Sequence, residues 1–82
     1  MARKPAKNEE LMRISAAAEA AGVSRQTIEY YILIGLIEPL RMPGRRSRFF
    51  DRDLVRRIRL IRQMNKSGYA LRDIRDTYLR GK

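Results

Sequence analysis

From Ile14 the apolar positions fall at a helical spacing, with Ile14, Ala17, Ala18 and Ala21 on one face. Ser15 stands where an N-cap belongs, and Gly22 supplies the stop. Small side chains let helix axes lie close together, so the alanine stripe implies close packing on a neighbour. A second helix is predicted over Arg25–Ile34, begun by Ser24 and stopped by Gly35, with Ile28, Tyr31 and Ile32 turned inward. The segment Leu36-Ile37-Glu38-Pro39 reads as extended, because a residue before proline is pushed from the helical region. Leu40-Arg41-Met42 and Ser47-Arg48-Phe49-Phe50 flank the turn Pro43-Gly44-Arg45-Arg46, the pattern of a small β-hairpin. Successive strand side chains point to opposite faces, so one of Phe49 and Phe50 is buried and the other exposed. Asp51 is placed to cap a third helix over Arg52–Lys66, with Leu54, Ile58 and Ile61 on one face, widened by Val55 and Met64. After Ser67-Gly68 a fourth helix is predicted over Leu71–Leu79, with Leu71, Ile74 and Tyr78 inward. The polar start, with Arg3, Lys4, Pro5 and Lys7, reads as a flexible basic arm over 1–11 ahead of one domain over 12–80.

Only Gly22 and Val23 separate the first helix from Ser24, which is the spacing of a helix-turn-helix. The second helix of such a pair lays its first residues against base edges in the major groove. Here those residues are Arg25, Gln26 and Thr27, all polar and rich in donors. The hairpin that follows carries Arg41, Arg45, Arg46 and Arg48 with no acid among them and reads as a basic wing. The expected fold is mainly α, a winged helix-turn-helix of about four helices with a small β-hairpin wing.

Composition narrows the function. The 82 residues carry 19 Lys+Arg against 9 Asp+Glu, a net charge of +10. Charge of that size repels itself in a compact state and points to a polyanionic partner. Between Arg41 and Arg62 the arginines face only Asp51 and Asp53, too few acids to balance them by ion pairs. A hydrophobic content of 44% still leaves material for a core. With no Cys and no His, thiolate nucleophiles, imidazole bases and ordinary zinc sites are excluded. The acid pairs Asp51/Asp53 and Asp73/Asp76 lie at helix starts or on an exposed face, and the first is better explained as a cap. The expectation is no enzyme and no cofactor. No apolar run approaches the ~20 residues that span a bilayer, and no apolar stretch follows the basic start as in a secretory signal. A cytoplasmic protein acting at the nucleoid, with no membrane partner, is expected.

The chain resembles the DNA-binding domain of the MerR family of transcription regulators over about Met12–Leu79. The likeness rests on Gly22-Val23-Ser24, Thr27-Ile28 with Tyr30-Tyr31, and Ile34-Gly35-Leu36-Ile37-Glu38-Pro39. The wing Pro43-Gly44-Arg45-Arg46, then Leu60-Ile61-Arg62, Gly68-Tyr69 and Leu71-Arg72-Asp73-Ile74 follow in the family's order. The resemblance implies a dimer on an inverted-repeat operator, the second helix in the major groove and each wing beside the phosphates. Family members often distort an overlong promoter spacer to activate transcription, so RNA polymerase becomes a further partner. By position Arg25, Gln26 and Thr27 match the family's recognition-helix start, Tyr30 its phosphate-contacting tyrosine, and Arg45, Arg46 and Arg48 its basic wing; Arg13, Ser24 and Arg41 complete the DNA-binding residues expected.

Three departures from the family pattern matter. Where the family usually has a DNA-contacting arginine, this chain has Glu29. An acid facing phosphate is repelled, so either it reads a cytosine amino group or the second helix is rotated. Ala70 replaces the Ser or Thr that usually caps the fourth helix, which weakens that cap by about 1 kcal/mol. The chain ends near Lys82, where the family usually continues into a dimerisation helix and an effector domain. It is read as either a shortened member or an excised domain.

Two other roles fit the same residues. One is an excisionase-like or nucleoid architectural factor that bends or tiles along DNA. The other is a basic interaction module for an acidic protein partner. Arg56, Arg57, Arg59 and Arg62 either touch DNA or form a solvated face, and Tyr30 either donates to phosphate or packs. No second apolar stripe remains on the fourth helix, so a monomer off DNA is expected, with any pairing made on DNA.

Overall fold

The computed structural model describes residues 11–79, with side chains described as far as Thr77. The arm apart from Leu11, and the inward position expected for Tyr78, lie outside the described residues.

The elements run α1 (Ile14–Ala21), α2 (Arg25–Leu33), β1 (Leu40–Arg41), β2 (Arg48–Phe49), α3 (Arg52–Lys66) and α4 (Leu71–Asp73). A π-helical segment, Ile74–Leu79, continues α4. This is a mainly helical winged helix-turn-helix with a two-stranded antiparallel hairpin, in register Leu40 opposite Phe49 and Arg41 opposite Arg48.

The first helix starts differently from expectation. Its cap position is Arg13, which makes no side-chain cap bond, and Ser15 lies exposed inside the first turn. A long-range constraint sets this start. Met12 exchanges both backbone hydrogen bonds with Phe50, each 2.8 Å, and fixes the chain just ahead of α1. The amide of Ala17 then donates to the Arg13 carbonyl at 3.0 Å and closes the turn. Ala17, Ala18 and Ala21 are buried as the stripe implied, and α1 packs on both α2 and α3.

Ser24 caps α2, its Oγ accepting from the Thr27 amide at 3.0 Å. The helix ends one residue short of expectation, at Leu33. Beyond it Gly35 adopts φ 82°, a left-handed conformation that costs other residues a Cβ clash. The Gly35 amide donates to Ile32 O at 3.2 Å and the Leu36 amide to Tyr31 O at 2.8 Å, so two end carbonyls of the helix are satisfied. This reversal delivers Leu36 and Ile37 into the core.

The third helix has the bounds its sequence predicts. Asp51 is buried, and its carboxylate accepts from the Leu54 amide at 3.0 Å. Leu54, Val55, Ile58 and Ile61 are buried on one face. With Ile28, Tyr31, Leu40, Phe50 and Ile74 they form one core. Fully burying such a side chain contributes about 1.5–3 kcal/mol.

The fourth helix is a second correction. Instead of regular α-helix to Leu79, α4 lasts from Leu71 to Asp73 before the winding widens. Ala70 makes no side-chain cap bond there, as its identity implied. Ile74 is nonetheless fully buried, while Leu71 is half-buried.

Candidate nucleic-acid interface

The exposed start of α2 is built by its cap. Because the Ser24 oxygen already satisfies the Thr27 amide, and lies 3.0 Å from Thr27 Oγ1, those two hydroxyls bond each other locally. Arg25 and Gln26 beside them project into solvent. One turn on, Tyr30 is 51% exposed while Tyr31 is buried, which separates the two tyrosines into surface and core. Leu33, at the end of the same helix, is also exposed.

The wing turns at Met42-Pro43-Gly44-Arg45, where the Arg45 amide donates to Met42 O at 3.1 Å. Pro43 sets the second position, and Gly44 at φ 75° supplies the left-handed third position of a type II turn. Arg45 and Arg46 project from this turn, exposed. Among the described residues neither makes an ion pair.

The register sets Arg41 directly opposite Arg48, and like charges across a strand pair are destabilising. Both guanidinium groups are drawn elsewhere. Arg41 Nη1 donates to the Arg46 carbonyl at 3.3 Å and braces the wing. Arg48 reaches to α2 and donates Nη1 to Glu29 Oε1 and Nη2 to Oε2, each at 2.8 Å. This two-pronged pair is half-open to solvent, with 29% of the Arg48 side chain and 45% of the Glu29 side chain exposed. The hydrogen bonds from Arg48 hold the Glu29 carboxyl below its ordinary value; desolvation opposes this, and the charges of Arg48 and Arg25 add to it. In return the Glu29 hydrogen bonds push the Arg48 guanidinium further above its ordinary range.

Glu29 was absent from the residues expected to form the site. Its sequence signal was an acid on the recognition helix, 19 residues before an arginine in a wing that lacks acids. In the folded chain this acid is paired within the protein.

Arg13 sits with its guanidinium 5.4 Å from the Phe49 ring centre, a cation–π distance. Phe50 is buried as the alternation implied, but Phe49, expected to be exposed, is half-buried and packs against the core. On α3, Arg52, Arg56, Arg57, Arg59 and Arg62 are all exposed. Arg56 lies 3.8 Å from Asp53, both open to solvent, a geometry that contributes little. Among the described residues no group of acids, histidines or cysteines is arranged to hold a metal. No helix among them is long and apolar enough to cross a membrane.

A family model described as "MerR HTH family regulatory protein" matches residues 12–80. The chain belongs to the MerR family. It is 37% identical over 67 residues to the HTH-type transcriptional regulator CueR of Bacillus subtilis (strain 168), covering 82% of this chain and 46% of that protein. It is 32% identical over 62 residues to the mercuric resistance operon regulatory protein of Bacillus cereus, covering 76% of this chain and 47% of that protein. To nodulation protein NolA of Bradyrhizobium elkanii it is 35% identical over 63 residues, covering 77% of this chain and 29% of that protein. The chain thus spans at most about half the length of these relatives. The family is described as regulatory, two of these relatives are regulators by name, and MerR-family membership implies DNA binding.

Proposed function

We propose that this MerR-family domain recognises a specific duplex DNA site as part of a transcription regulator. The first turn of α2, with Ser24, Arg25, Gln26 and Thr27, lies in the major groove and chooses the sequence, while Tyr30 donates to a phosphate. Arg45 and Arg46 at the wing tip bind the adjacent backbone, with Arg13 and Arg41 flanking them. Phosphate neutralisation supplies most of the affinity and base contacts supply the choice.

The observation that carries this reading is the bridge between α2 and the wing. Because Arg48 bonds Glu29, the wing stands beside the outward side of α2, and the exposed Arg25 and Gln26 share a surface with the wing arginines. That surface has an excess of cations without internal partners, which suits a polyanion better than a solvated face. Pairing on an inverted repeat, from a chain that is monomeric in free solution, belongs to the same proposal. So do contact with RNA polymerase and action in the cytoplasm at the nucleoid.

Footprinting on genomic fragments at two salt concentrations tests it. A discrete, symmetric protected site that survives the higher salt supports the reading. Protection that spreads without preference and vanishes with salt refutes it in favour of an architectural role. Replacing Arg45 and Arg46 by Ala should weaken binding alike on all sequences and flatten the salt slope by about two units. Gln26→Ala should instead relax preference at one or two base pairs.

A further inference from the structure

We infer that Glu29 is a base-reading residue whose carboxylate accepts a hydrogen bond from a cytosine amino group, and that Arg48 is the positioning residue that holds it for this task. The inference rests on the proposed placement of α2 in the major groove.

Glu29 lies one turn after Gln26 on α2, and neighbouring Tyr30 is exposed beside it. A lone carboxylate there would meet the negative potential of the phosphates. Paired with Arg48 at two 2.8 Å contacts, it carries no net charge into the groove. The paired guanidinium uses one acceptor direction on each oxygen, and a carboxylate has about four. The remaining directions open to solvent, since 45% of the Glu29 side chain is exposed.

What those directions can bind follows from their chemistry. They accept and never donate, so they need a donor. In the major groove the donors on base edges are the amino groups of cytosine and adenine. The adenine amino group is flanked by the N7 acceptor, which repels a carboxylate. The cytosine amino group is flanked on its own base by a C–H. Cytosine is therefore the base selected.

The same geometry argues against Arg48 as a phosphate contact. Two of the five Arg48 N–H donors are committed to the Glu29 carboxylate, and the charge that would attract a phosphate is neutralised within the pair. Keeping the pair also keeps the opposed Arg41 and Arg48 guanidinium groups apart. Arg48 thus acts through Glu29, fixing the carboxylate in one orientation on a side chain that otherwise samples several.

The test is selection of sites from a randomised duplex library by the 82-residue chain. Wild type is compared with Glu29→Gln, Arg48→Gln and Arg48→Lys. Wild type should select cytosine at a position that Glu29→Gln alters, with adenine gaining there because an amide fits its paired donor and acceptor; the change should be roughly tenfold. Arg48→Gln should erode the same cytosine by a similar factor and leave the other positions alone. Arg48→Lys keeps the charge but loses the fork, so it should broaden that position, and it serves if Arg48→Gln fails to fold. Wild type that selects no site overturns the placement of α2 and this inference together. A selected site whose base preferences survive Glu29→Gln, or an Arg48 variant that weakens all sequences alike, overturns this inference alone.

Discussion

The third helix and the last helical segment send isoleucines into the same core, yet their backbones wind differently. Ile58 and Ile61 of α3 and Ile74 of the last segment are all fully buried. Both elements carry an acid in the first turn, Asp53 and Asp73, so charge at the helix start does not separate them. The cap does. Asp51 accepts from the Leu54 amide, and α3 runs regularly from Arg52 to Lys66. Ala70 offers no acceptor, and regular winding stops at Asp73. Burial of one side chain decides where a segment lies, whereas the cap decides how its first turns are held. Where the cap is missing, a distant bond serves: Arg75 Nη1 donates to the Ile34 carbonyl at 3.0 Å and ties the segment to the end of α2.

The strongest way to break the contrast is to remove what seats the start of α3. Phe50 is fully buried next to Asp51 and pairs with Met12 through two backbone bonds. Phe50→Ala should cost about 3–5 kcal/mol. A domain of this size holds only about 4–12 kcal/mol in total, so the variant should be partly unfolded at room temperature by urea titration. Asp51→Ala comes next. Losing a buried cap should cost about 2 kcal/mol, lowering the melting temperature by roughly 10 °C. A melting temperature within a degree or two of wild type would show that burial alone holds α3.

Mending the other start gives the reverse sign. Ala70→Ser supplies the missing acceptor and should stabilise by about 1 kcal/mol, with slower amide exchange at Asp73 and Ile74. If exchange stays unchanged, the wide winding of Ile74–Leu79 has a cause other than the cap.

How much of this was legible in the sequence follows one line. Features set within a few residues were readable: the caps at Ser24 and Asp51, the stop at Gly35, the bounds of α3 and the burial of one phenylalanine, Phe50, under the wing. Features set by contacts far apart along the chain were not. The start of α1 at Arg13 rather than Ser15 follows from Met12 pairing with Phe50. The Arg75 tether spans 41 residues and carries no local signal. At the candidate site, the exposed start of α2 and the basic wing were visible as types and spacing. That Arg48 turns back to Glu29, while Arg45 and Arg46 stay open, depends on a strand register that places two arginines face to face.

The smallest expected effect concerns that pair, because half-exposed charges are screened by water. Hydrogen bonds from Arg48 hold the Glu29 carboxyl below its ordinary 4.5 in the folded chain, against a desolvation that raises it and with the charges of Arg48 and Arg25 lowering it. Between the folded and the unfolded value, the unfolded chain binds more protons, so stability there rises with pH. The contribution of the pair is complete above the unfolded value and is lost as pH falls through the folded one. Wild type should therefore exceed Arg48→Gln in stability near neutral pH, and the gap should close in acid, as read by denaturant titration across that range. The Glu29 carboxyl, followed by NMR, should titrate closer to its ordinary value in Arg48→Gln. A gap that persists in acid would assign the effect of Arg48 to packing of its stem on the hairpin, and the wing would then be held to α2 by shape instead of charge.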